Sequence, residues 1–178
     1  MMNKIIHFNI EHANKLGMTP AVILEYVNDI SLLGENKVVT FDIDEAIEEL
    51  QLSYETMKEA FRELVSFGFL ETKKRGNNQI VQLKKKVKTA DLYFYVKPGD
   101  KRFNPKMFLA RTILEDHGGW ATNKFMYETS GIFNKDTGNI MLNNMLKKGI
   151  IERKRDSERI GVGRGNGKQI RYRYKGDQ

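Results

Sequence analysis

An internal repeat is the feature of this 178-residue sequence that most restricts the folds open to it. With an offset of 81 residues, ELVSFGFLETKK (63–74) aligns without a gap on NMLKKGIIERKR (144–155). In both copies an apolar pair precedes a glycine, and a second apolar pair and charged residues follow it. This order is typical of a helix whose last turn is buried, followed by a glycine turn and by a strand that returns to the core. The repeat predicts two modules of one fold.

The first module reads as a short opening helix followed by three helices, a short strand and a β-hairpin. A short helix in FNIEHANKLG ends at Gly17, and a second helix follows with Thr19 as its N-cap and Gly34 in the left-handed conformation past its end. A strand at 37–41, a helix capped by Asp42 and a helix capped by Ser53 come next. The hairpin is predicted from FLETKK and QIVQLKK, joined at RGNN. The buried stripe of the third helix is predicted as Met57, Phe61, Leu64 and Val65.

The second half repeats this order. A helix opens at Pro105 and stops at Gly118, Trp120 occupies the place of the short strand, and Thr122 and Asn134 cap two further helices. IIERKR and QIRYRYK form a second hairpin. Between the modules, LYFYV is a strand-like run whose aromatic residues, Tyr93, Phe94 and Tyr95, are predicted as core. The predicted fold is α+β, mainly α, with two tandem winged-helix (helix-turn-helix) domains at 1–88 and 102–178 and a linker at 89–101.

Charge separates the two halves. Residues 1–88 carry 12 Lys and Arg against 13 Asp and Glu, whereas residues 89–178 carry 18 against 10. Such an asymmetry indicates that the second half faces nucleic acid and that the first half has another task. The alternative is a basic surface that only aids solubility.

Composition excludes several classes of site. The chain has no cysteine, so disulfides and cysteine-ligated metals are excluded. No apolar run has the ~20 residues of a membrane span, and no signal-peptide pattern opens the sequence. We therefore expect a cytoplasmic protein with no membrane association.

Catalytic motifs are absent from the sequence. The three histidines, His7, His12 and His117, have no metal-ligand spacing, and no G-x-S-x-G, H-E-x-x-H or Walker pattern occurs. The tract GVGRGNGK (161–168) resembles a phosphate loop, but no Ser or Thr follows Lys168 and a strand rather than a helix comes next. We expect no enzymatic activity, no cofactor and no metal, and we interpret the tract as a hairpin tip.

Nucleic-acid binding is the chemistry best matched by the second module. Its third helix is expected to read the major groove, and its hairpin to contact phosphates or the minor groove. Arg153 and Arg155 are expected to point outward from one strand, and Arg171 and Arg173 from the next, opposite to Tyr172 and Tyr174. Asn139 is the candidate for pairing with adenine. The candidate residues on the helix are Lys135, Thr137, Asn139, Asn143 and Lys147. Those on the hairpin are Arg153, Lys154, Arg155, Arg164, Lys168, Arg171 and Arg173.

Two further features bear on these roles. Gly138 either allows the backbone of the helix to approach DNA or meets a packing requirement. The third helix of the first module exposes Glu55, Glu59 and Glu63, which repel phosphates. The first module is therefore expected to contact protein or to form a homodimer.

The stretch HFNIEHANKLGMTPAVILEYVNDI and the following DIDEAIEELQLSYETMKEAFRELVSFGFLE resemble the N-terminal winged helix of DnaD-type and phage replisome-organiser proteins. The similarity covers about residues 6–72. It lies in a short helix that ends in Lys-x-Gly, followed by an apolar helix of the Ala-x-x-Leu type. The resemblance implies a role in replication initiation or helicase recruitment, with the first module used for self-association. In those families a different domain usually follows.

The expected function is double-stranded DNA binding in replication initiation or transcription control, in a phage, a plasmid or a bacterium. The alternative is an interaction module that grips a polymerase or helicase, with the basic hairpin assisting. A third possibility is RNA binding.

Overall fold

The computed structural model describes residues 4–34, 38–75, 78–100, 104–159 and 168–176. The protein mixes helices and strands, as expected for an α+β chain, and it divides into two compact units, Met1–Pro105 and Lys106–Gln178. Unit 1 includes residues 89–101, which the sequence predicts as a linker. Among the described residues, every helix is too short or too polar to cross a bilayer.

Unit 1 combines a helical layer with two antiparallel sheets. One sheet pairs β1 with β5, and the other has the strand order β2-β4-β3. The elements are β1 (Lys4–Phe8), α1 (Ile10–Leu16), α2 (Met18–Leu33), β2 (Val38–Phe41), α3 (Ile43–Leu50), α4 (Tyr54–Ser66), β3 (Leu70–Arg75), β4 (Asn78–Leu83) and β5 (Leu92–Val96).

The pairing of β1 with β5 was not predicted. It joins residues almost ninety positions apart, with Ile6 opposite Phe94 in the register. The rings of Phe8 and Phe94 are fully buried, with their centres 5.7 Å apart. Tyr93, by contrast, is exposed, because neighbouring residues of a strand face opposite sides. Of the three aromatic residues predicted as core, only Phe94 is fully buried.

Unit 2 repeats the order of α2, β2, α3, α4, β3 and β4, and its described residues contain no counterpart of α1 or of the β1–β5 pair. Its sheet has the strand order β6-β8-β7, which matches β2-β4-β3 in unit 1. The elements are α5 (Pro105–His117), β6 (Ala121–Thr122), α6 (Asn123–Ser130), α7 (Lys135–Lys147), β7 (Ile151–Arg159) and β8 (Lys168–Tyr174).

The repeat seen in the sequence is confirmed for the third helix and its exit turn. α4 and α7 each have 13 residues and begin 81 positions apart, after the N-caps Ser53 and Asn134. Both exit turns use a glycine with φ near 70°, Gly68 in unit 1 and Gly149 in unit 2. In each turn the glycine amide donates to the carbonyl three residues earlier, and the next amide donates to the carbonyl five residues earlier. The two units therefore present equivalent helices in equivalent frames.

Three local predictions were wrong. Helix α2 begins at Met18 rather than after Thr19, because Gly17, with φ of 90°, both ends α1 and forms the N-cap of α2. Gly34 has φ of −88° and is right-handed rather than left-handed. Val65, predicted in the buried stripe of α4, is 42% exposed, because it lies on the flank of the helix beside the buried Phe61 and Leu64.

The C-cap of α3 generates a stability prediction. Gln51 has φ of 54°, and Gly131, with φ of 62°, is the C-cap of α6 in unit 2. Left-handed backbone is unfavourable for a residue with a Cβ. We expect Gln51→Gly to raise, and Gly131→Gln to lower, the free energy of unfolding by about 0.5–1 kcal/mol. Urea titrations followed by circular dichroism measure both, and changes of the same sign would contradict the prediction.

Candidate nucleic-acid interface

Helix α7 exposes one polar surface with an apolar residue at its centre. Gly138, Leu142 and Met145 form the buried side of the helix. Ile140 lies on the opposite side and is 64% exposed. Ile140 is not among the residues predicted from the sequence, although its position two residues before Leu142 places it away from the core at 100° per residue. The other exposed residues are Lys135, Asp136, Thr137, Asn143, Asn144 and Lys147.

Asn139 is held inside unit 2 rather than presented to a ligand. The Nδ2 of Asn123 donates to the Oδ1 of Asn139 at 2.7 Å, and the hydroxyl of Tyr127 lies 3.4 Å from the same oxygen. Pairing with adenine uses both the amide oxygen and the amide nitrogen of an asparagine. The oxygen of Asn139 already has a partner, and its side chain is half-buried.

Two further helix candidates have structural partners. The Oγ1 of Thr137 donates to the Oδ1 of Asn134 at 2.8 Å, within the N-cap of α7. The main-chain carbonyl of Lys135 accepts a hydrogen bond from the hydroxyl of Tyr127 at 3.2 Å. The side chain of Lys135 takes no part in this bond and is exposed. Lys135, Asn143 and Lys147 are thus the candidates whose side chains project fully from the helix.

Gly138 meets a packing requirement. A Cβ added there would lie 2.6 Å from the Cε1 of Tyr127, far inside van der Waals contact. Burial raises the pKa of Tyr127, so its hydroxyl stays protonated and remains a hydrogen-bond donor. The ring of Tyr127 thereby packs α6 against α7. Of the two interpretations of Gly138, the structure favours packing.

The cations of the hairpin β7–β8 lie on other faces of the sheet than the sequence predicts. Lys154 lies opposite Arg171, whereas Arg153 lies opposite Tyr172 and Arg155 opposite Ile170. Directly opposed residues share a face of the sheet. Lys154, rather than Arg153 and Arg155, therefore shares the outer face with Arg171 and Arg173. The expected separation of basic and aromatic faces on β8 is confirmed, since Tyr172 is buried and Arg173 is exposed.

Trp120 organises this outer face. Its ring centre lies 4.5 Å from the Nζ of Lys154 and 4.8 Å from the guanidinium carbon of Arg173. Cations held at this distance gain a favourable interaction with an indole ring. Arg171 forms an ion pair with Asp156, and Arg173 forms one with Glu152. The outer face is therefore an ordered array of cations, partly balanced by two carboxylates.

The remaining hairpin candidates differ in their surroundings. Arg153 and Arg155 are exposed, and neither forms an ion pair within the described part of the chain. Lys168 is the first residue of β8, and nothing beyond its backbone is described. Arg164 and the glycines around it lie outside the described residues.

The strongest contrast is between the third helices of the two units. On α4 a row of exposed glutamates, Glu55, Glu59 and Glu63, forms what we call the crest of the helix, and the exposed cations Lys58 and Arg62 lie beside it. The three positions of α7 that match Glu55, Glu59 and Glu63, with the offset of 81 residues, carry Asp136, Ile140 and Asn144. Over the whole sequence, unit 1 has 15 Lys and Arg against 15 Asp and Glu, and unit 2 has 15 against 8. The crest of α4 is therefore acidic, its counterpart on α7 is nearly uncharged, and the excess of positive charge lies in unit 2.

Substitution of Gly138 by alanine tests the packing of α6 on α7. Alanine in a helix interior normally stabilises by about 1 kcal/mol relative to glycine. The contact with Tyr127 reverses the sign, and we expect Gly138→Ala to lower the free energy of unfolding by about 1–3 kcal/mol. Gly119→Ala, whose Cβ would meet no atom closer than 3.9 Å, is the control. Urea unfolding measures both, and a stabilised Gly138→Ala variant would show that Tyr127 yields easily.

Comparison with known proteins adds no relative against which to test this surface. No protein-family model matches the chain, and no curated protein matches it. The candidate interface therefore rests on the geometry and charge of the chain's own residues.

Proposed function

We propose that this chain binds double-stranded DNA through unit 2, and that both units are winged helices. The proposal for the fold is supported by the order helix, strand, helix, helix and hairpin in each unit, and by the matching strand orders β2-β4-β3 and β6-β8-β7. In helix-turn-helix modules the second helix of the motif enters the major groove. α7 occupies that position in unit 2.

The observation that carries the proposal is the replacement of the acidic crest of α4 by a nearly uncharged crest on α7. Ile140 and Asn144 stand where α4 has Glu59 and Glu63. An apolar side chain suits the thymine methyl group, and an amide suits a base edge. Because the frames of the two helices are equivalent, the difference between them lies in the surface rather than in the fold.

The basic residues divide into two proposed roles. Lys135 and Lys147, at the two ends of α7, meet phosphates on either side of the groove. Arg153 and Arg155 are the exposed hairpin cations without a carboxylate partner in the described ranges, and they follow the backbone. Lys154 and Arg173 are held against Trp120, so less side-chain freedom is lost when they meet a phosphate. Asn139 has no base-reading role in this proposal.

The process served by this binding is proposed as replication initiation or transcription control. Its support is the resemblance of residues 6–72 to replisome organisers, together with the different surfaces of the two units. Unit 1 is proposed to contact protein, since Glu55, Glu59 and Glu63 disfavour nucleic acid at its third helix.

Exchange of the crest residues between α4 and α7 tests the proposal that unit 2, rather than unit 1, binds duplex DNA. Ile140→Glu with Asn144→Glu gives α7 the glutamates of α4, and we expect the affinity for duplex DNA to fall about tenfold or more, since carboxylates then face phosphates. The matched control, Glu59→Ile with Glu63→Asn, gives α4 the residues of α7. It is expected to leave the affinity of the full chain within about twofold. Fluorescence anisotropy with labelled duplex measures both.

The salt dependence of binding tests the hairpin. Replacing Arg153 and Arg155 by alanine removes two proposed phosphate contacts, so the slope of log affinity against log salt should fall by about 1.8. The control replaces two exposed cations of α4, Lys58 and Arg62, and should leave the slope unchanged. Titrations on random duplex, single-stranded DNA and RNA at several salt concentrations give the slopes.

These titrations also separate the rival functions. An unchanged slope for the hairpin variant would remove β7–β8 from the footprint. Absence of duplex binding by the wild type would favour the interaction module. Tighter binding to RNA than to duplex DNA would favour the RNA-binding alternative.

A further inference from the structure

We propose that a groove in unit 1 binds a short acidic segment of another protein, anchored by one bulky apolar side chain. The groove lies between α3, α4 and the hairpin β3–β4. The inference deepens the protein-contact role proposed for unit 1, and it is independent of DNA binding by unit 2.

The shape and lining of the groove suit an apolar anchor. Its volume is about 400 Å³, and Met57 and Phe61 form its buried floor. Tyr54, 54% exposed, and Val65, 42% exposed, stand along its α4 side. A cavity of this size with an apolar floor is within the range that takes up a small ligand or a large side chain. Apolar residues left open to water on a helix flank gain free energy when a partner covers them.

Unit 2 provides an internal comparison, because side chains bridge its second and third helices at the matching positions. The caps of α3 and α6 match with an offset of 80, since Asp42 corresponds to Thr122 and Gln51 to Gly131. Ile47 of α3 therefore corresponds to Tyr127 of α6, whose ring lies over Gly138 and whose hydroxyl reaches α7.

Two more substitutions complete the difference. Ile43 and Lys58 in unit 1 correspond to Asn123 and Asn139, whose amides are joined by a hydrogen bond of 2.7 Å across the two helices of unit 2. Neither the ring nor the amide bridge exists at the matching positions of unit 1. Met57 of unit 1 stands at the position of Gly138, so the smaller Ile47 on α3 is matched by a larger residue on α4. The difference at the groove is therefore the amide bridge, because Ile43 and Lys58 line the groove at the positions of Asn123 and Asn139.

Charge indicates the chemistry of the occupant. Lys58 and Arg62 lie four residues apart on the groove side of α4, and both are exposed. Neither forms an ion pair in the part of the chain that the structure describes. Arg62 offers a guanidinium that carboxylates can bind in a bidentate manner. A segment with Asp or Glu beside its apolar anchor complements both the cations and the floor.

The neighbouring crest of α4 excludes nucleic acid as the favoured occupant. Glu55, Glu59 and Glu63 lie outward of the groove at 100° per residue and would face an extended phosphate backbone. A short peptide occupies only the groove side and meets Lys58 and Arg62 first. A polypeptide segment therefore fits this surface better than a polyanion does.

Selection from a phage-displayed library of random 12-residue peptides on the full chain tests the proposal. We expect enriched peptides to carry one Phe, Trp, Leu, Ile or Met flanked by Asp or Glu. Synthetic copies are then measured by fluorescence anisotropy without DNA. Val65→Asp, which places a carboxylate on an already exposed position, should weaken binding about tenfold or more. Lys58→Glu with Arg62→Glu should weaken the acidic peptides by a similar factor and enrich basic ones when used as bait.

Ile140→Glu is the matched control, since it also adds a carboxylate at an exposed apolar position, but in unit 2; it should leave peptide affinity unchanged. Circular dichroism verifies that each variant is folded. Enrichment of no acidic and apolar motif, or equal binding by the wild type and both groove variants, would overturn the proposal. Dissociation of a wild-type dimer by Val65→Asp in sedimentation analysis would also overturn it and identify a second copy as the occupant. Because the peptide assay contains no DNA, its failure is distinct from a failure of duplex binding.

Discussion

The turn between the third helix and the hairpin is the constraint on which both units depend. Gly68 and Gly149 adopt φ values of 69° and 70°, which only glycine reaches without strain. The reversal sends the next residues back into the interior, where Phe69, Leu70 and Ile151 are buried. The hairpin is thereby fixed against the helix that precedes it. Each recognition surface is built from these two elements, so its geometry follows from one backbone conformation.

On this shared frame the two units differ in what covers the second and third helices. In unit 2 the ring of Tyr127 and the amide pair of Asn123 and Asn139 join the two helices, and Ile140 on the opposite side of α7 stays exposed. In unit 1 Ile43 and Lys58, at the positions of Asn123 and Asn139, line an open groove, and the crest of α4 is acidic. Different residues at a few matching positions are enough to give the two units different surfaces on the same succession of helices and strands.

Local signals in the sequence were sufficient to predict the helices, both hairpins and the N-caps Asp42, Ser53, Thr122 and Asn134, because caps, glycine turns and apolar periodicity act within a few residues. They misplaced the start of α2, where Gly17 rather than Thr19 is the N-cap. These local signals could not predict contacts between segments that are distant in the sequence. The pairing of β1 with β5, the contact of Trp120 with Lys154 and the capture of Asn139 by Asn123 each depend on tertiary packing. The face assignment of Arg153 failed for a simpler reason. Ile151 and Tyr172 lie on the face that packs against the core, and the alternation of side chains puts Arg153 on this face rather than on that of Arg171 and Arg173, although Arg153 itself is exposed.

The position of Trp120 has a spectroscopic consequence. It is the one tryptophan in the sequence, and it lies in unit 2 in contact with Lys154 and Arg173. Indole emission responds to charge in its immediate surroundings, so a displacement of either cation alters the spectrum. Tryptophan fluorescence, excited selectively, therefore reports on the outer face of the second hairpin, and unit 1 contributes no tryptophan emission. The chain thus carries a built-in optical probe at the surface that distinguishes its two halves.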